Sequence, residues 1–318
     1  MNMEHRQEPT EHRTKSIYAP FLASFFRELE ARDVRYCVPR NFENLPETIL
    51  GDVDVLVRPG QLRRAEAALE CTAPGHFVLR RVERNGHVLL WIGSATELRN
   101  AAREERAAEV LEIDLVTQLQ WKGIAYQDTI SVLSAARTEN GIWVASEADK
   151  AAHILCHAIL DKNLIKPAYR AAIAEVVGER GEQAFAPLLP FVGPEMVKVL
   201  HAAFASGGDA ALLALRRDLI RSLLVSRPTA ATGWLAYTAA RGLRIARAIA
   251  SPPGVLIATA GPDGVGKSTL LANTRTVLES TFDPVRDQYM GWREFILPTK
   301  RVLLWLQRTL QAQGRGWK

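Results

Sequence analysis

The run Gly261-Pro-Asp-Gly-Val-Gly-Lys-Ser-Thr269 constrains this chain more tightly than any other segment, because it meets the spacing G-x-x-x-x-G-K-[ST] between a strand-like and a helix-like stretch. Val255 to Ala260 is apolar and of strand length, and Thr269 to Leu278 carries helical spacing. Strand, glycine loop and helix in that order form a cradle for phosphate. Gly261, Gly264 and Gly266, with Asp263 and Val265 between them, let the backbone turn tightly and aim its N–H groups inward, and the helix N-terminus adds its dipole. In such a cradle Lys267 reaches the β and γ phosphates of ATP or another nucleoside triphosphate, the Ser268 hydroxyl ligates Mg²⁺, and Thr269 opens the helix.

The 318 residues are 47% hydrophobic, enough for two compact domains and the start of a third. A formal net charge of +5 and a pI of about 9.2 suit a small anionic ligand such as a nucleotide, but the excess is too mild to argue for nucleic acid. Cys37, Cys71 and Cys156 lack C-x-x-C spacing and lie in apolar contexts, so each reads as a buried thiol in a reducing compartment. The N-terminus is polar without a hydrophobic signal region, and no apolar stretch approaches the ~18 residues of a membrane span, so we expect a cytoplasmic protein.

Residues 1–15 mix His, Glu, Arg and Thr without periodicity and read as a disordered tail. Ile17, Phe21, Leu22, Phe25, Phe26 and Leu29 recur at spacings of three and four and mark an amphipathic helix. Strand-like runs follow at Arg35 to Val38 and Asp52 to Val57, then a helix after Pro59 ending near Cys71. Two further strands, Phe77 to Val82 and His87 to Ile92, are joined by the hairpin-like turn Arg84-Asn-Gly86, and another covers Val110 to Val116 after a polar stretch from Glu97 to Arg106. Past Ser146 the pattern is helical: Glu147 to Leu160, Ala168 to Val177, Pro194 to Ala205 and Ala210 to Leu224. The stretch from Ser226 to Gly233 reads as a linker, and Trp234 to Ala250 as one more helix. The class is therefore α/β: an α+β domain over 16–146, a helical module over 147–225, a linker and connecting helix over 226–252, and the start of a phosphate-loop α/β domain over 253–318.

Asp52 and Asp54 stand two residues apart in Gly51-Asp-Val-Asp-Val-Leu-Val57, so both carboxylates project from one face of a strand. Two such acids repel unless a cation sits between them. Asp114, on the later strand Glu112-Ile-Asp-Leu-Val116, can bring a third carboxylate to the same place, forming an oxygen cage for one or two Mg²⁺ ions. Glu112 shares its strand face.

The Asp-x-Asp pair followed by a lone acid resembles the polymerase-β-like nucleotidyltransferase superfamily over roughly residues 16–145. More narrowly, Arg40-Asn-Phe-Glu-Asn-Leu-Pro46, then Gly51-Asp-Val-Asp-Val-Leu-Val57, and later Trp121-Lys-Gly, look like the nucleotidyltransferase-like proteins of bacterial surface-polysaccharide clusters, some of which carry a thymidylate kinase-like domain behind. That resemblance implies metal-holding roles for Asp52 and Asp54, activation of an acceptor hydroxyl by Asp114, and a nucleotide with a small-molecule or sugar acceptor as partners. The superfamily places a Gly-Ser pair ahead of the first acid to hold the triphosphate. Here the corresponding region reads Val38-Pro-Arg-Asn41, and Arg40 is the candidate phosphate contact in its stead.

The wording of the glycine loop also resembles thymidylate kinase-like nucleoside monophosphate kinases, in which a second strand, a basic lid and an Asp-Arg dipeptide complete the site. The tail after Thr269 has room for one strand near Pro284 to Met290 and one helix near Thr299 to Gln311, with Asp283 and Asp287 too early to supply that dipeptide. We therefore expect a truncated kinase half with little turnover of its own.

Three further clusters have two readings each. His153, Cys156 and His157 fall at i, i+3 and i+4, a zinc-capable spacing, but no fourth ligand is evident and their neighbours read as core. Lys162, Lys166, Tyr169 and Arg170 are either an acceptor-binding cluster or solvated helix ends. Arg241, Arg244 and Arg247 on the Trp234 helix suit peripheral contact with an anionic membrane or an interdomain role. For the whole chain the rival to a transferase is a catalytically idle nucleotide-binding regulatory or scaffold protein; an RNA-modifying enzyme would need a basic groove that the sequence does not display.

Overall fold

A computed structural model describes residues 18–49, 51–72, 75–84, 87–94, 110–250, 257, 259 and 264–279. Helix α1 (Ala19–Ala31) turns Phe21, Leu22, Phe25, Phe26 and Leu29 inward, the face its spacing predicts, with Pro20 in the first turn where a missing N–H costs nothing. Phe25 and Phe26 are fully buried, each contributing roughly 2–3 kcal/mol by removal from water. Helix α2 (Leu62–Thr72) packs on α1 and buries Ala65, Ala68 and Leu69.

Five strands form one sheet: β1 (Tyr36–Cys37), β2 (Val53–Val57), β3 (His76–Arg84), β4 (His87–Ser94) and β5 (Val110–Val116). Their spatial order is β1-β2-β5-β4-β3, with β2 and β5 parallel and the other pairs antiparallel. Alternation along each strand sorts the side chains. Val53, Val55, Val57, Val88, Leu90, Ile92, Leu111, Ile113 and Leu115 share one core with α1 and α2. The opposite face carries Asp54, Leu56, His87, Glu112, Asp114 and Val116. Leu56 and Cys37 belong to a second core, built mainly from the helices that follow.

Short pairs complete the sheet-bearing part: β6 (Gln120–Trp121) with β7 (Ile124–Ala125), helix α3 (Thr129–Ser134), then β8 (Arg137–Glu139) with β9 (Ile142–Val144). Asp128 caps α3 by accepting from the Ser131 N–H at 2.8 Å. Ser146 caps α4 (Glu147–Cys156) by accepting from the Asp149 N–H, while its hydroxyl donates to the Asp149 carboxylate at 2.5 Å.

A π-helical turn, His157–Lys162, continues α4 and ends at Asn163 in the left-handed conformation. Then come α5 (Pro167–Arg180), a 3₁₀ stretch (Gly181–Leu188), α6 (Leu189–Val192), α7 (Pro194–Ala205), α8 (Asp209–Ala214), α9 (Arg216–Val225) and α10 (Pro228–Ala250). Helix α11 (Lys267–Glu279) follows the glycine loop.

Three expectations change. The segment read as a linker is helical from Pro228, because proline at the first position of a helix is pre-organised rather than disruptive. The single helix expected over Ala210 to Leu224 breaks at Leu215 into α8 and α9. Cys71 is exposed, its sulfur accepting from an Arg32 Nη2 donor at 3.0 Å, whereas Cys37 and Cys156 are buried as expected. The tail at 1–15, the Asn85-Gly86 turn, the polar stretch from Glu97, and the elements expected near Pro284 and Thr299 lie outside the described residues. Most of the strand expected at Val255 to Ala260 does too. Among the described residues no helix is long and apolar enough to cross a membrane.

Candidate active site

The parallel pairing of β2 with β5 sets Asp54 directly across from Asp114. Asp52 precedes β2 by one residue and Glu112 lies two residues before Asp114, so four acids gather at the same end of one sheet face. That face is turned toward the helical core, which Leu56, the next inward residue after Asp54, joins. Asp52 is 45% exposed and Asp54 only 12%, so the cluster runs from an open rim into a closed floor.

Arg40 reaches the floor. It is 7% exposed, donates from Nε to Asp54 Oδ2 at 2.5 Å and from Nη1 to the Tyr169 hydroxyl at 2.8 Å, and its Nη2 lies 3.6 Å from Asp52. Local structure holds it there. Asn41 takes the left-handed conformation that an Asx residue tolerates. Phe42 is fully buried, with Lys150 Nζ and the Arg137 guanidinium 5.0 and 5.8 Å from its ring centre. The Val38 N–H donates to Trp143 O and Val38 O accepts from the Ala145 N–H, so β9 pins the same segment.

Burial pushes the Asp54 carboxyl up from its ordinary value; Arg40 pulls it back in part, and Asp52 and Asp114 push it up again. Burial likewise raises Glu112, with Asp52 adding to the effect. For Arg40 burial opposes the charge, yet Asp54, Tyr169 and Asp52 together outweigh it and raise its pKa. The charge of Arg40 therefore does not fully offset the burial of Asp54.

Sequence reasoning missed His87, whose Nε2 is hydrogen-bonded to Asp114 Oδ1. It opens β4, opposite Val116 and on the same face as Asp114. The signal was present in the strand's alternation, but using it required knowing that β5 inserts between β2 and β4. Tyr169 was noticed, but not its bond to Arg40. Its cluster divides: Lys166 Nζ lies 6.0 Å from the Tyr169 ring centre, while Arg170 turns to Asp209 and the Phe204 ring.

His153, Cys156 and His157 pack into the helical core. His153 Nδ1 is 3.1 Å from the Tyr126 hydroxyl, and its ring stacks beside those of Tyr126 and His157. Burial, then Arg40 and His157, hold the His153 imidazole well below 6.5. The unfolded chain thus binds the proton more tightly, so the contribution of His153 to stability is complete above about pH 6.5 and is lost as pH falls below it. Urea titrations of the wild type should show stability declining from pH 7 to pH 5. His153→Gln, which keeps a partner for Tyr126, should flatten that decline; equal slopes would contradict the assignment.

The glycine loop enters the described residues at Gly264. Gly264 and Gly266 have φ of +84° and +91°, which side chains disfavour, and Val265 lies between them, exposed. Lys267, Ser268 and Thr269 form the first turn of α11. Gly261 and Asp263 lie outside the described residues.

No protein-family model and no curated protein matches this chain. Two solved structures from Helicobacter pylori align with it. JHP933 is 11% identical, with 74% of this chain and 100% of that one covered; a candidate nucleotidyltransferase is 12% identical, covering 65% and 97%. Both have a TM-score of 0.33, too low to carry fold or function across.

Among the described residues, no group of three or more His, Cys, Asp or Glu side chains is drawn together at metal-holding distance. The neighbours explain this: Arg40 holds Asp54 and His87 holds Asp114. By donor chemistry the acids suit Mg²⁺, being hard carboxylate oxygens on adjacent strands. Arg40 reaches both Asp54 and Asp52.

Proposed function

We propose that the acid cluster is a nucleotidyl-transfer site. The observation that carries this reading is the register of Asp54 against Asp114 on one sheet face, with Asp52 at the rim. Asp52, Asp54 and Asp114 would hold Mg²⁺, which when bound neutralises the triphosphate and makes an acceptor hydroxyl easier to ionise. Asp114 takes the proton of that hydroxyl, His87 fixing the direction of its carboxylate. The acceptor oxygen then bonds to the α-phosphorus, and pyrophosphate leaves with the electron pair of the broken P–O bond. Arg40, from the loop after β1, and Tyr169, from α5, which are hydrogen-bonded to each other, would each offer phosphate oxygens a donor. A small-molecule or sugar acceptor and a cytoplasmic setting complete the proposal.

The Gly261 to Thr269 loop is proposed as a second nucleotide site, for ATP with Ser268 on Mg²⁺. The positive φ of Gly264 and Gly266 and the start of α11 at Lys267 support it. The rival reading, an idle nucleotide-binding scaffold, draws on the engagement of Asp54 and Asp114 by Arg40 and His87.

Transfer of label from α-labelled triphosphates to a panel of sugars and phosphosugars decides between them. Wild type should transfer, and Asp114→Asn should be slower by about 10²–10⁴-fold, the usual contribution of a general base. Wild-type transfer at background, with nucleotide still bound, would establish the scaffold instead.

A further inference from the structure

We propose that Arg40 is an exchangeable counter-cation: it neutralises Asp54 while the site is empty, and moves onto the phosphates of an incoming nucleotide, releasing Asp54 for the metal. The inference rests on the nucleotidyl-transfer reading and names how that site admits its two charged ligands.

Three observations lead to it. Arg40 makes short contact with one carboxylate and longer contact with another, so a single side chain covers the place where a cation would bridge them. Its remaining terminal nitrogen is held by Tyr169, a neutral hydroxyl from α5, so one of its bonds comes from outside the carboxylate cluster. Asp52, the more distant of the two carboxylates, is 45% exposed, so a ligand reaching the rim meets the same guanidinium that the floor holds, in a form suited to phosphate oxygens.

Like-charge repulsion gives the direction of the coupling. A guanidinium beside Asp54 repels a divalent ion a few ångströms away, so metal affinity is low until the arginine has an anion of its own. A triphosphate supplies that anion, in the bidentate geometry a guanidinium prefers. By linkage, whatever draws Arg40 away strengthens metal binding, and whatever removes Arg40 strengthens it permanently while weakening the nucleotide.

Mn²⁺ serves as the metal probe, with free ion read by electron paramagnetic resonance and no nucleotide present. All proteins carry Lys267→Ala, so that the glycine loop contributes little. Arg40→Gln should bind Mn²⁺ about tenfold more tightly than its parent, within the usual range of coupling between sites. Adding Asp54→Asn should abolish that gain. With Mn²⁺ saturating, the same Arg40→Gln protein should bind ATP about tenfold more weakly, as expected for a lost charge-assisted contact. Opposite signs for metal and nucleotide are the signature; a merely structural arginine would lower both.

Tyr169→Phe, which leaves the charge in place and removes only the hydroxyl on Nη1, guards against a misfolded Arg40→Gln. It should tighten Mn²⁺ by about threefold, a smaller step of the same coupling. Either variant, folded by circular dichroism yet no tighter for Mn²⁺ than its parent, overturns the exchange. Absence of ATP binding and label transfer in the wild type overturns the nucleotidyl-transfer reading instead, and leaves the metal result of Arg40→Gln standing by itself.

Discussion

Gly123→Ala is expected to destabilise the protein by about 2–5 kcal/mol, through strain at a left-handed position combined with overpacking. Gly123 turns the β6–β7 hairpin with φ of +85°, and its Cα faces Gly233 on α10. A methyl group there would land on the Gly233 carbonyl oxygen and within 2.9 Å of Tyr237 Cβ. The contact is reciprocal, since a methyl on Gly233 would meet the Gly123 carbonyl oxygen. Backbone opposes backbone, so neither side can rotate away.

The informative comparison is within α10 itself. Alanine normally stabilises a helix interior by up to about 1 kcal/mol over glycine, and Gly242, which has nothing within 4 Å of an added methyl, should show that gain. Gly233→Ala should instead cost about 1–3 kcal/mol. Thermal melts read the difference: a fall of roughly 5–15 °C for Gly123→Ala, a smaller fall for Gly233→Ala and a slight rise for Gly242→Ala. Three equal melting temperatures would mean that the hairpin does not hold α10.

The second large effect is expected of Asp54→Ala. Removing one partner of a buried ion pair strands the other, at a cost of about 3–5 kcal/mol. Arg40 would keep only the 3.6 Å approach to Asp52 and its bond to Tyr169. Asp52→Ala removes a carboxylate that is 45% exposed, and its stability cost should stay within about 1 kcal/mol. Both changes should abolish label transfer if both acids hold the metal. Chemical denaturation with parallel transfer assays therefore separates structure from chemistry: similar activity losses with dissimilar stability losses fit the site, and full transfer by Asp52→Ala would remove it from the metal set.

Much of this was legible locally. Period-two alternation put Asp52 with Asp54 and Asp114 with Glu112, and the strand Val110–Val116 and helix Pro194–Ala205 emerge with the limits their patterns suggest. What escaped depended on the order of strands and on long-range approach. His87 meets Asp114 because β5 lies between β2 and β4, a placement no local pattern encodes. Tyr169 meets Arg40 across 129 residues of chain. The two- and three-residue strands from Gln120 to Val144 were too short to show a period at all. Cys71 was misjudged because apolar neighbours in sequence need not be neighbours in space.

Strand β2 has a bearing on how anything reaches the acids. Its Leu56, wholly buried, is anchored among the helices while Val55 and Val57 on either side are anchored beneath the sheet. Prising the helices off the floor of the cleft would drag that leucine into water, at roughly 2–3 kcal/mol before any other contact is counted. A nucleotide of the kind proposed would therefore have to enter past the rim, where Asp52 is 45% exposed, rather than by parting the helices from the sheet.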